Sequence, residues 1–136
     1  MPLPQLQRGR ALIITGPQAC GKSRLAHEVA LQHTAVPQPM EMTWLEGRYG
    51  VTNALNADAQ VLIIEGLPHT AMAMANIKQL LTAKSIRHRP PGALQPSDVQ
   101  PPLLVFTTND PALARQMAVD GRRFDLFDMG DERPLH

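Results

Sequence analysis

Three stretches of the chain are apolar almost without interruption: Ala11 to Thr15 (ALIIT), Val61 to Ile64 (VLII) and Leu103 to Thr107 (LLVFT). None of them alternates polar with apolar positions, so none has a face set aside for water. Strands buried on both sides, as in a parallel sheet covered by helices, have this pattern. Between the runs the period changes to that of a helix. Lys22 to His33 lines up Leu25, Ala26, Val29 and Ala30. Ala71 to Lys84 gathers Met74, Ile77, Leu80 and Leu81, with Lys78 at the edge of the stripe. Pro111 to Val119 follows Asn109 and Asp110, where Asn or Asp caps a helix and Pro fits its first turn. A further strand is expected at Phe124 to Met129, a short one near Met40 to Trp44, and a short helix after Gly47. Strand and helix thus alternate, which predicts a three-layer α/β/α domain with a mainly parallel sheet of about five strands and right-handed crossovers.

The 136 residues suffice for one domain with its own core, spanning 1–136. Residues 1–10 are expected to be a flexible lead-in, the Pro-rich stretch 89–102 an exposed loop, and 130–136 a tail. A formal charge of +1 leaves no strongly basic field, so any nucleic-acid contact has to be local. The single cysteine, Cys20, excludes an intrachain disulfide and suits a reducing compartment. The leading residues lack the apolar core of a secretory signal, and the apolar runs are far shorter than a membrane span. A soluble, cytoplasmic protein without a membrane partner is expected.

The loop after the first run is GPQACGKS: Gly16, Pro17, Gln18, Ala19, Cys20, Gly21, Lys22 and Ser23. It satisfies the Walker A spacing G-x-x-x-x-G-K-[ST], entered by a strand and left by a helix. Glycines let the backbone turn its amides inward, where side chains would intrude. The helix that follows adds a partial positive charge. Lys22 can reach β- and γ-phosphates, and Ser23 can ligate Mg²⁺. The pattern predicts ATP or another nucleoside triphosphate as ligand, with Mg²⁺ as cofactor. Cys20 beside Gly21 reads as a small residue that fits; a thiol at a helix start can also be redox-sensitive.

The ends of the other apolar runs carry further candidates. Glu65 closes VLIIE, where an acid can hold Mg²⁺ or polarise the attacking water. Its neighbours are Ile64 and Gly66, so the two consecutive acids usual in ATPases are reduced to one. Asn109, after the third run, can orient water against a γ-phosphate, or simply cap the next helix. Arg122 and Arg123 precede the last strand; arginine stabilises the charge of a phosphoryl-transfer transition state, and is also common on bare surface.

Taken together, GPQACGKS, VLIIEG, TTND and GRRFD resemble Walker A, Walker B, sensor 1 and the arginine-finger region of AAA+ ATPases. That resemblance runs from about Ala11 to Met129. It implies Lys22 and Ser23 as phosphate and magnesium residues, Glu65 as the Walker B acid and Asn109 as the sensor. Arg122 or Arg123 would be the finger offered to the next subunit of a homo-oligomer, as in a hexamer. The stretch NIKQLLTAKSIRHRPPG is similar to the lysine-bearing segment of superfamily 3 helicases, which forms a hairpin on single-stranded DNA in a central channel. By that likeness Lys84, Arg87 and Arg89 would contact DNA; a solvated basic helix end explains the same charges. AAA+ proteins carry a helical lid with a second sensor arginine. The expectation here is a core without such attachments: a minimal ATPase, a subunit completed by another protein, or a decayed relative. Two other functions stay open. One is a small-molecule kinase, because VLIIEGL also looks like the Glu-Gly strand of uridine-kinase-like enzymes. The other is an ATP-holding assembly module with negligible hydrolysis.

Overall fold

The computed structural model describes residues 3–119 and 121–130. Five strands, β1 (Ala11–Thr15), β2 (Gln38–Glu41), β3 (Val61–Glu65), β6 (Leu103–Thr108) and β7 (Phe124–Asp128), form one sheet in the order β2-β3-β6-β1-β7. Every pairing in it is parallel. Between the strands come α1 (Lys22–Leu31), α2 (Thr43–Glu46), α3 (Gly50–Asn56), α4 (Ala71–Thr82) and α5 (Pro111–Ala118).

Side chains of a strand point alternately to its two faces, and here both faces are covered. Leu12 and Ile14 pack with Ala26, Val29 and Ala30 of α1 in one cluster. Ala11 and Ile13 belong to the other, with Ala54, Ile77, Leu80 and Ala114 of α3, α4 and α5. This is the three-layer α/β/α arrangement, and it explains why all five residues of β1 are buried.

Several elements differ from the sequence pattern. The strand expected near Met40 to Trp44 runs over Gln38–Glu41, and Trp44 belongs to α2. Pro39 obscures it, yet β2 is the sheet edge, where a missing N–H is tolerated. Helix α4 ends at Thr82, two residues early, capped at its start by the Thr70 hydroxyl, which accepts from Ala73 N at 3.0 Å. After it comes an antiparallel hairpin of β4 (Ile86–His88) and β5 (Ser97–Val99). So the Pro-rich stretch is in part a strand. Its turn is exposed, with Leu94 at 95% exposure, but Pro101 and Pro102 are buried, and Arg8 donates to the Pro101 carbonyl.

Within residues 3–10, expected as part of a flexible lead-in, Leu6, Arg8 and Arg10 are docked. Leu6 is buried beside α1 and β1. The Nε of Arg10 donates to both carboxylate oxygens of Asp125, at 3.1 and 3.0 Å. These partners lie more than a hundred residues along the chain, beyond the reach of a local pattern. The expected tail from 131 onward lies outside the described residues. Among the described residues no helix is long and apolar enough to cross a membrane.

Candidate functional site

In an open parallel sheet, ligands collect beyond the carboxyl ends of the strands. That edge carries a cleft of about 480 Å³, lined by Gln18, Ala19 and residues 21–24 after β1, Glu65 and Gly66 after β3, and Thr107, Thr108 and Asn109 at the end of β6. Because β6 lies between β1 and β3, the two threonines and Asn109 stand between the glycine loop and Glu65.

The loop turns through two left-handed residues, Ala19 at φ 62° and Gly21 at φ 96°. Only the second is a glycine. Helix α1 starts directly after Gly21, with no side chain capping it and no acid in its first turn. The amides of that turn are therefore left for a ligand or water, in the field of the helix N-terminus. Gly16, Pro17 and Cys20 form the back of the loop. The Nζ of Lys22 donates to the carbonyls of Gly16 (2.9 Å) and Pro17 (2.7 Å), closing the loop on itself. Gly16 is tightly enclosed: a Cβ there would stand 2.8 Å from Cys20 Sγ and 3.2 Å from Met129 Cβ. The end of β7 thus braces the loop from behind.

Asn109 is not the helix cap. Asp110 has that task, its Oδ1 accepting from Leu113 N at 3.0 Å. Asn109 is exposed in the cleft, and among the described residues its amide and the Glu65 carboxylate have no hydrogen-bond or ion-pair partner.

The arginine pair lies elsewhere. Ala11, the first residue of β1, donates its N–H to the Arg123 carbonyl at 2.7 Å, whereas the glycine loop follows the last residue of β1. Five residues of strand separate them, roughly 16 Å at 3.3 Å each. Arg122 and Arg123 are thus on the opposite edge of the sheet from their own chain's cleft. Arg10 holds this loop, donating to the carbonyls of Arg122 (2.9 Å) and Gly121 (2.6 Å). Lys84, Arg87 and Arg89 are exposed at the hairpin, away from the cleft residues; Arg87 Nη1 lies 3.6 Å from Asp98 Oδ1.

Sequence reasoning missed several lining groups. Thr107 and Thr108 pass for strand, although two adjacent hydroxyls at the end of an apolar run are a visible signal. A second groove, of about 900 Å³, adjoins the cleft and shares Ser23, Glu65 and Thr107 with it. Pro39, Met40 and Trp44 form its apolar wall, and Asn53 and Asn56 supply amides. Pro39, Met40 and Trp44 are close in sequence, but the pairing of β2 with β3 is what brings them beside Glu65, and Asn53 Nδ2 donates to the Trp44 carbonyl at 2.8 Å.

Fold and cleft together define an α/β protein with a glycine loop and an acid at the carboxyl edge of a parallel sheet. No protein-family model and no curated protein matches the chain. Among solved structures, the apo A form of the NrS-1 C-terminal region is similar, with a TM-score of 0.59 at 13% sequence identity, covering 93% of this chain and 30% of that one. A second structure of the same region gives 0.58 at 12% identity, covering 90% and 29%. The likeness is one of fold, and this chain spans about 30% of the NrS-1 region it matches.

Proposed function

We propose that the chain binds ATP with Mg²⁺ and hydrolyses it as a P-loop ATPase of the AAA+ and superfamily 3 type, acting as an oligomer on single-stranded DNA. One observation carries this: Gln18, Ala19, Gly21, Lys22 and Ser23 of the glycine loop line a single cleft with Glu65 and Asn109, which come from two other elements. In this reading the loop amides and Lys22 cradle the β- and γ-phosphates. Lys22 would exchange its contacts with the carbonyls of Gly16 and Pro17 for the phosphate oxygens. Ser23 and Glu65 are the oxygen donors that fit Mg²⁺, which when bound neutralises charge developing between the β- and γ-phosphates. Asn109, released from capping by Asp110, orients the attacking water. Arg122 and Arg123, at the far sheet edge, suit the cleft of a neighbouring copy in a head-to-tail assembly. The basic residues of the hairpin supply contacts to a nucleic-acid backbone.

The groove beside the cleft favours a second reading, transfer of the γ-phosphoryl group to a small hydroxyl compound seated against Trp44. Assaying phosphate release from Mg·ATP, with and without single-stranded DNA and with a panel of nucleosides, separates the two. Hydrolysis without an acceptor supports the ATPase; product only with an acceptor supports the kinase. Lys22→Ala should lose nucleotide binding. Glu65→Gln should bind nucleotide but turn over at least 100-fold more slowly; unchanged turnover in that variant would leave an ATP-holding module.

A further inference from the structure

The ATPase reading leaves one part missing, the second acid beside Glu65. Strand register supplies a candidate. Glu41 ends β2 and Glu65 ends β3, and the two are direct partners across parallel strands. Such partners lie about 4.8 Å apart and project to the same side of the sheet. Both glutamates line the groove beside the cleft, together with Ser23 and Thr107. Glu65 belongs to groove and cleft alike, so it stands at their junction, with Glu41 one strand further out.

Among the described residues, His27 lines the same groove but forms no ion pair with either glutamate. Among the described residues neither carboxylate has a hydrogen bond or ion pair. The cleft's own lysine is turned to the carbonyls of Gly16 and Pro17, and Arg24 is paired with Glu28 at 3.3 Å. Like charges on directly opposed strand positions are unfavourable in the absence of a ligand. Two solvated glutamates at a sheet corner is the plain alternative, and it gives Glu41 no effect on turnover.

We propose that Glu41 is the second acid of this site and acts as the proton acceptor, while Glu65 and Ser23 hold the magnesium. The inference rests on the ATPase reading. Water enters from the groove and its oxygen bonds to the γ-phosphorus. The bond from that phosphorus to the β,γ-bridging oxygen breaks, its electron pair leaving with the diphosphate. The proton released by the water goes to the Glu41 carboxylate and afterwards to solvent. Nucleoside diphosphate and inorganic phosphate are the products, and no further reactant is needed. The two-acid pattern of a single strand is thus divided between two neighbouring strands, which a search for consecutive acids does not find.

The test compares the parent chain with Glu41→Gln and Glu41→Asp, measuring kcat and KM for phosphate release from Mg·ATP, affinity for Mg·AMP-PNP, and thermal melting. Glu41 is exposed, so Glu41→Asp should melt like the parent, and Glu41→Gln, which removes one of two opposed like charges, should melt no lower. A positioned base contributes on the order of 10²- to 10⁴-fold. Glu41→Gln should therefore lose at least about 100-fold in kcat, with affinity for the analogue within twofold. Glu41→Asp, which keeps a carboxylate at this position, should recover at least about tenfold of the lost kcat while KM stays within about twofold in both variants, a split that a merely structural role would not produce. If the parent hydrolyses ATP and Glu41→Gln keeps kcat within threefold, the role of Glu41 is overturned and the ATPase reading stands. If the parent neither binds nor hydrolyses ATP, the ATPase reading fails and takes this role with it.

Discussion

Replacing Gly16 by alanine adds a single methyl group at the most crowded point of the loop. The new Cβ would stand 2.8 Å from Cys20 Sγ, 3.2 Å from Met129 Cβ and 3.5 Å from Gly130 N. The first distance is shorter than real carbon–sulfur contacts allow, so Cys20 must move, and with it the loop between Gly16 and Gly21. Overpacking of this kind costs about 2 kcal/mol. For a chain of this length that lowers the melting temperature by roughly 8 °C. Cys20→Ala removes the sulfur and leaves the looser contact with Met129, so adding it to Gly16→Ala should recover about half of the loss. Urea denaturation of the parent, both single variants and the double variant closes the cycle, with an expected coupling of about 1 kcal/mol. Affinity for Mg·AMP-PNP should follow the same order, falling at least tenfold in Gly16→Ala and partly returning in the double variant. A Gly16→Ala protein as stable as the parent, or one that Cys20→Ala does not relieve, would refute the packing of this loop.

Gly50→Ala drives a Cβ to 2.5 Å from the Leu45 carbonyl oxygen and 2.4 Å from Asn76 Nδ2, the amide that donates to Leu45 and Gly47 at 2.8 Å each. Backbone cannot step aside as a side chain can, so urea denaturation should show a loss of about 3 kcal/mol. If, as proposed, the far sheet edge is offered to a neighbour's cleft, Arg123→Ala should keep nucleotide affinity but depress turnover; mixing it with Lys22→Ala should restore some activity, and none at any ratio would exclude a shared site. Removing Lys84, Arg87 and Arg89 together should weaken single-stranded DNA binding and reduce the slope of log affinity against log salt by about 2. An unchanged slope would assign those charges to solvent.

The buried strands could be read almost to the residue. Val61–Glu65 and Leu103–Thr108 each extend one residue beyond their apolar runs, because burial on both faces leaves a continuous signal. β2 was harder to see, since Pro39 argues against a strand until its edge position is known. The hairpin strands, three residues each, are too short for any period to register. The glycine loop is legible because its chemistry is set by consecutive residues. Which groups share its cleft is not: Thr107 and Asn109 come beside it only because β6 pairs with β1. The same strand order sends Arg122 and Arg123 to the opposite edge, and makes Glu41 the neighbour of Glu65. Register between strands distant in sequence carries that information, and no local motif contains it.

The central claim is that residues 16–23 capture the phosphates of a nucleoside triphosphate. Titrating the full-length chain calorimetrically with AMP-PNP in the presence of Mg²⁺ tests it most directly, with Lys22→Ala as the control. The claim predicts saturable binding at one site per chain in the parent, weakened at least 100-fold in Lys22→Ala. Absence of binding in the parent, or equal affinity in the two proteins, would contradict it.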